Sequence, residues 1–186
     1  MISNSLLKKL PNLLTISRVL SIPIIVASFY FEDKKFAHII GALLFFIASA
    51  TDFFDGWLAR KYKIQSKFGV IFDPIADKVL IGCVILLIAR FEKADLIPCI
   101  LIIAREFTIS GLREFLAKKT LSIPVSSLGK IKTGLQMISL LIIILGTKGS
   151  GIEGVDELGN LLLWITSILT IYTGYEYIKG SLKYLL

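Results

Sequence analysis

Apolar residues recur along this chain in six long runs separated by charged and turn-forming residues. A short segment precedes them: residues 1–10, MISNSLLKKL, set Leu6, Leu7 and Leu10 against Lys8 and Lys9. That pattern predicts a short interfacial helix lying on a membrane, broken by Pro11. The runs themselves cover about 13–31, 37–60, 68–90, 96–117, 129–147 and 159–179. At about 1.5 Å of rise per residue, each is long enough to cross roughly 30 Å of hydrocarbon. The predicted fold is therefore all-α and polytopic, with six transmembrane helices, an N-terminal interfacial segment at 1–11 and one membrane domain at 12–186. The connection KGSGIEGVDEL at 148–158 is Gly-rich and acidic and reads as a flexible external loop.

Composition supports the membrane reading: of 186 residues 55% are hydrophobic, and the mean hydropathy of +0.78 excludes an ordinary soluble domain. The net charge of +7 does not point to nucleic acid, because the basic residues cluster between apolar runs. Thirteen lie in the N-terminal segment, the second and fourth connections and the tail: Lys8, Lys9, Arg60, Lys61, Lys63, Lys67, Arg113, Lys118, Lys119, Lys130, Lys132, Lys179 and Lys183. The alternate connections hold five, mixed with acidic residues, so both termini are predicted to be cytoplasmic. Arg18 interrupts the first run and no A-x-A site follows, which favours an uncleaved first helix. Cys83 and Cys99 fall in apolar runs without ligand spacing and read as packing residues.

Where the second and third runs meet, residues 51–78 read TDFFDGWLARKYKIQSKFGVIFDPIADK. Four carboxylates here, Asp52, Asp55, Asp73 and Asp77, belong to predicted membrane helices, where each Asp costs about 2.5–3.5 kcal/mol near the helix centre. In helical geometry Asp52 and Asp55 share one face, and Asp73 and Asp77 share another. A divalent metal is the simplest partner for four such groups; without a Cys/His set, hard oxygen ligands suit Mg²⁺ or Mn²⁺ rather than zinc. Gly56, Ala59, Gly69 and Ala76 are small enough to let the helices approach closely. The competing reading is an internal ion-pair network with Arg60, Lys78 and Arg105. Pro74 fits either a first turn capped by Asp73 or a tolerated kink.

The full spacing, D-x2-D-G-x2-A-R-x8-G-x3-D-x3-D from Asp52 to Asp77, resembles the signature of the CDP-alcohol phosphotransferases. These membrane enzymes transfer a phosphatidyl or related group from a CDP-linked donor to an alcohol. The resemblance implies that Asp52, Asp55, Asp73 and Asp77 hold two Mg²⁺ or Mn²⁺ ions and that Asp77 also serves as catalytic base. It further implies that Gly56, Ser66 and Gly69 bind the donor, that Arg60 pairs with its phosphate or braces the aspartates, that the enzyme is a homodimer, and that it sits in the bacterial inner membrane with its active site facing the cytoplasm. Asn12 and Thr15 either contact the nucleotide or cap the first span.

A second, basic group concerns the acceptor. Arg105 lies about eight residues inside its run, where an unused charge is costly. With Arg113, Lys130 and Lys132 it is predicted to bind the phosphate of an acceptor through charge-assisted hydrogen bonds. PNLLTISR, DPIADK, REFTISGLRE and GKIKTGLQ resemble the family members that use CDP-diacylglycerol as donor and glycerol 3-phosphate as acceptor. Inositol phosphate as acceptor is the nearest rival, and a small cation carrier using intramembrane aspartates is the rival from another class.

Overall fold

The computed structural model describes residues 4–62, 67–121, 124 and 126–185, with side chains described at 15–51, at 69 and from 71 onward except 183 and 185. Over these residues the protein is all-helical and has no strand. Its helices are α1 (Asn4–Ser28), α2 (Lys34–Tyr62), α3 (Lys67–Arg90), α4 (Leu96–Lys118), α5 (Ser127–Ser150) and α6 (Val155–Leu185). Polar residues mark the ends, because terminal backbone groups need partners that the helix itself does not supply. Asp33 Oδ1 accepts the Phe36 N–H at 3.0 Å at the start of α2, and Ser126 Oγ accepts the Gly129 N–H at 3.2 Å at the start of α5. At the ends of α3 and α4 the chain turns through a left-handed residue, Glu92 (φ 53) and Thr120 (φ 56). The following N–H groups, of Lys93 and Leu121, return to the carbonyls of Ile88 (2.8 Å) and Leu116 (3.0 Å).

Three expectations change. Pro11 does not separate a surface helix, for α1 continues through it from Asn4 to Ser28. A proline removes one backbone donor, but its φ is already helical, and neighbouring groups in a membrane helix can absorb the loss. Asn12 and Thr15 consequently lie well inside α1, and neither caps it. The loop expected at 148–158 shrinks to residues 151–154, since α5 runs to Ser150 and α6 starts at Val155 with Asp156 and Glu157 in its first turn. Acidic residues there complement the positive end of the helix dipole, so composition that resembled a loop is helix-starting composition. The break falls instead inside α5, at Gly146 (φ 56, ψ −176). Three residues before it, the Ile143 carbonyl accepts a hydrogen bond from Lys93 Nζ at 3.1 Å.

Apolar side chains fill the core, but many also cover the outside, unlike a soluble bundle. Large apolar side chains such as Leu20, Phe46, Leu86, Ile168 and Tyr175 are exposed, whereas Thr166, Ser167, Thr170, Thr173 and Ser181 line the buried face of α6. Several of these hydroxyls donate to carbonyls of their own helix: Thr166 to Leu162 at 2.8 Å, Ser167 to Trp164 at 2.7 Å and Ser181 to Tyr177 at 2.6 Å. Small hydroxyl residues satisfied this way allow close helix contact while the apolar faces turn outward, the arrangement expected in lipid. Lys34–Thr51, Ser127–Ser150 and Val155–Leu182 are long and apolar enough to cross a membrane, and Thr15–Ser28 is a shorter apolar helix. In α3 the apolar run is interrupted by Asp73, Asp77 and Lys78, and in α4 by Arg105, Glu106 and Arg113.

The chain forms two compact units. The first comprises 1–87 with 144–152, and the second 88–143 with 153–186. In the first, α1 packs on α2 around Ile25, Phe45 and Ala48, with Leu80 and Ile85 of α3 fully buried. Gly41 makes this packing possible, because a Cβ there would stand 2.9 Å from Ser28 Oγ. In the second, α4 packs on α6 around Ile102, Ile109, Leu116 and Leu163. Gly159 lets α6 approach α5: a Cβ would meet Ile143 Cγ1 at 2.7 Å.

Candidate functional site

Each unit carries a cluster of charged side chains within its apolar helices. In the first, Asp73 and Asp77 lie one turn apart within α3, whose start at Lys67 places Pro74 inside the helix rather than at a capped first turn. Ala76, 1% exposed, fills the space beside them, and Gly69 is buried one turn before Asp73. The Thr15 hydroxyl of α1, itself buried, donates to Asp73 Oδ1. One turn further along α1, buried Arg18 donates through Nε to the Ala48 carbonyl of α2 at 3.3 Å. Ala48 is four residues before Asp52, so this contact sets the level at which the Asp52 backbone passes. The α2 backbone holds Asp52 and Asp55 three residues apart in helix, as expected; the side chains of Asn12, Asp52, Asp55, Gly56 and Arg60 lie outside the described residues, as does Ser66 entirely.

Magnitudes show what this cluster needs. A carboxylate in a spanning helix costs about 2.5–3.5 kcal/mol, while a hydrogen bond to a charged group returns about 1.5–3 kcal/mol. Thr15 therefore offsets at most about one carboxylate. The two aspartates share one face of α3, and their donor set of hard oxygens suits a divalent cation.

In the second unit, Arg105, Glu106 and Lys132 form a part-buried network. Glu106 Oε1 accepts from Arg105 Nη1 at 3.2 Å and from Lys132 Nζ of α5. Arg105 Nη2 reaches Thr173 Oγ1 of α6 at 3.4 Å. Arg113 stacks its guanidinium over the Tyr177 ring, 5.1 Å from the centroid, and acts electrostatically on both Arg105 and Glu106. The predicted basic group is thus partly assembled: Arg105 and Lys132 meet at Glu106 with Arg113 beside them, while Lys130 is exposed. Residues two apart on a helix point to different faces, which separates Lys130 from Lys132. A cleft of about 560 Å³ also belongs to this unit, but it is lined by Glu92, Lys93, Asp95, Asp156, Glu157 and Asn160 and contains none of the predicted site residues.

The sequence model of the CDP-alcohol phosphatidyltransferase family matches residues 8–172, a span that includes both clusters. The chain belongs to that family. A protein of Rickettsia felis named CDP-diacylglycerol–glycerol-3-phosphate 3-phosphatidyltransferase is 56% identical over 177 residues, 95% of this chain and 97% of that protein. Proteins of the same name from Cereibacter sphaeroides and Pectobacterium atrosepticum are similar at 34% over 213 residues and 38% over 176 residues. They cover 95% and 92% of this chain and 96% and 94% of their own lengths. CDP-alcohol phosphatidyltransferases generally depend on a divalent metal, and the oxygen donors of Asp73 and Asp77 fit one.

In this CDP-alcohol phosphatidyltransferase Thr15, expected to contact the nucleotide or cap the first span, pairs with Asp73. The residues that the sequence did not point to are Glu106, Thr173 and Gly174, which surround Arg105. A glutamate beside an arginine inside an apolar run was the available signal for Glu106. No periodicity or motif points from Arg105 to Thr173 or Gly174, which lie 68 and 69 positions away.

Proposed function

We propose that this protein transfers the phosphatidyl group of CDP-diacylglycerol to glycerol 3-phosphate, giving phosphatidylglycerophosphate and CMP. The observation that carries the reading is the Asp73/Asp77 pair on one turn of α3, braced by Thr15, in a chain whose relatives bear that activity in their names. Asp52, Asp55, Asp73 and Asp77 hold divalent metal, two Mg²⁺ or Mn²⁺ ions, which supplies positive charge against the donor diphosphate. Gly56, Arg60, Ser66, Gly69, Asn12 and Thr15 line the donor head group, with the glycines admitting it close to the backbone. Arg105, Arg113 and Lys132, with Lys130 at the rim, take the acceptor phosphate.

Asp77 accepts the proton of the free primary hydroxyl of glycerol 3-phosphate. That oxygen bonds to the phosphorus bearing diacylglycerol, the bond from this phosphorus to the CMP oxygen breaks, and CMP departs with the electron pair. The proposal includes six membrane spans, cytoplasmic termini and a cytoplasm-facing active site in the bacterial inner membrane. It also includes a homodimer.

Purified protein in detergent, given CDP-diacylglycerol with Mg²⁺ or Mn²⁺, tests this by CMP release with glycerol 3-phosphate, inositol phosphate, serine or phosphatidylglycerol as acceptor. Selective turnover with glycerol 3-phosphate is expected. Preference for another alcohol contradicts the acceptor, and folded protein that releases no CMP with any of them contradicts the reaction and favours the carrier.

A further inference from the structure

Among the described residues, Glu106 is the one acidic side chain in a network of cations, and its contacts come from two helices. Its Oε1 accepts from Arg105 Nη1 at 3.2 Å on α4 and from Lys132 Nζ on α5, whose side chain is 3% exposed. Arg105 is held from its other side by Thr173 Oγ1, and its stem lies in a groove that exists because residue 174 is glycine. A Cβ at Gly174 would stand 3.0 Å from Arg105 Cγ and 3.5 Å from Nε. Arg105 Nε is buried without a hydrogen-bond partner among the described residues. Left without Glu106, the two cations would repel each other, and a buried charge without its partner is strongly destabilised.

Charge count gives the network a direction. Among the described residues, Arg105, Arg113 and Lys132 against Glu106 leave a surplus of two positive charges, and a phosphate monoester carries about −1.5 to −2 at pH 7. We infer that Glu106 is a positioning residue for the acceptor: it fixes the spacing of the Arg105 guanidinium and the Lys132 ammonium and trims the site to the charge of a phosphate monoester dianion. The inference rests on the proposed acceptor. Glu106 touches the two cations rather than substrate, so its removal acts on acceptor binding and leaves the chemical step alone.

Steady-state CMP release by the full-length protein tests it, with Glu106→Gln and Glu106→Asp compared. Gln preserves length and removes charge; Asp preserves charge and shortens the reach. The expected result is a rise of about tenfold in the KM for glycerol 3-phosphate in Glu106→Gln and about threefold in Glu106→Asp. The kcat and the KM for CDP-diacylglycerol stay within twofold, and competitive inhibition by inorganic phosphate weakens in parallel with the acceptor KM. A space-filling role predicts the reverse order, Gln milder than Asp, and that order overturns the inference, as does an unchanged acceptor KM in Glu106→Gln. Should Glu106→Gln fail to fold, Thr173→Val removes the other brace on Arg105. An acceptor KM about threefold higher there supports the network, and an unchanged one overturns it. Wild-type protein inactive with glycerol 3-phosphate counts against the proposed function, whereas an active wild type with unaffected variants counts against Glu106 alone.

Discussion

In the first unit an aspartate of α3 takes the hydroxyl of Thr15, whereas in the second a glutamate of α4 takes two cations, Arg105 and Lys132. Both clusters place charge in apolar helices, and they answer its cost differently. A neutral hydroxyl orients Asp73 without cancelling its charge, and the carboxylate oxygens of the Asp73/Asp77 pair suit a cation. In the basic cluster, a carboxylate built into the protein cancels part of the charge and leaves a positive surplus. On the proposed function, one arrangement takes a cation and through it a diphosphate, the other an anion, and partial internal compensation sets the sign of the ligand at each cluster.

The comparison breaks most visibly at the acidic cluster. Asp77→Asn removes the proton acceptor, and CMP release is expected to fall by roughly 10²–10⁴-fold, with helical content by circular dichroism unchanged. Retained turnover would remove Asp77 from the mechanism. Next in size, Lys132→Met deletes a donor to the acceptor phosphate, and the KM for glycerol 3-phosphate is expected to rise about 10- to 100-fold, the range of one hydrogen bond to a charged group. Thr15→Val takes away the hydroxyl that orients Asp73. Outer partners of metal-holding groups are worth about 10–100-fold, so the Mg²⁺ concentration for half-maximal activity is expected to rise about tenfold.

The smallest effect lies outside the two clusters, at the start of α4. The Trp164 indole N–H, 2.7 Å from Asp95 Oδ2, and then the Asn160 side chain hold the Asp95 carboxyl below its ordinary value. A carboxyl lowered by folding contributes stability above its unfolded pKa, and that contribution is lost as pH falls through the folded value. Trp164→Phe is therefore expected to lower the melting temperature slightly at pH 6, with the difference from wild type disappearing toward the acid end of a pH series. A difference that persists in acid would assign it to lost packing instead.

Much of the fold was legible because apolar runs and helix length follow one rule: five of the six expected runs fall within one helix each, and the first, 13–31, overruns the end of α1 at Ser28. Its boundaries were less so. Pro11 and the acidic, Gly-rich stretch at 148–158 both carry loop-like composition, yet α1 continues through the proline and Asp156 and Glu157 open α6. At the acidic cluster, the i, i+4 spacing of Asp73 and Asp77 within α3 follows directly from chain order. The basic cluster was harder to read, since Arg105 gains Lys132 from α5 through Glu106 and Thr173 from α6, and pairing across helices leaves no mark on local spacing. Lys130 illustrates the limit: counted with Lys132 by proximity in sequence, it is exposed while Lys132 is buried.

The division of labour between the clusters is tested most directly by measuring, in one assay, the KM for CDP-diacylglycerol, the KM for glycerol 3-phosphate and the half-saturating Mg²⁺ for wild type, Thr15→Val and Lys132→Met. The account predicts that Lys132→Met moves the acceptor KM alone and that Thr15→Val moves the metal requirement while leaving the acceptor KM within twofold. Acceptor and metal constants that shift together in both variants, or an acceptor KM indifferent to Lys132, would contradict it.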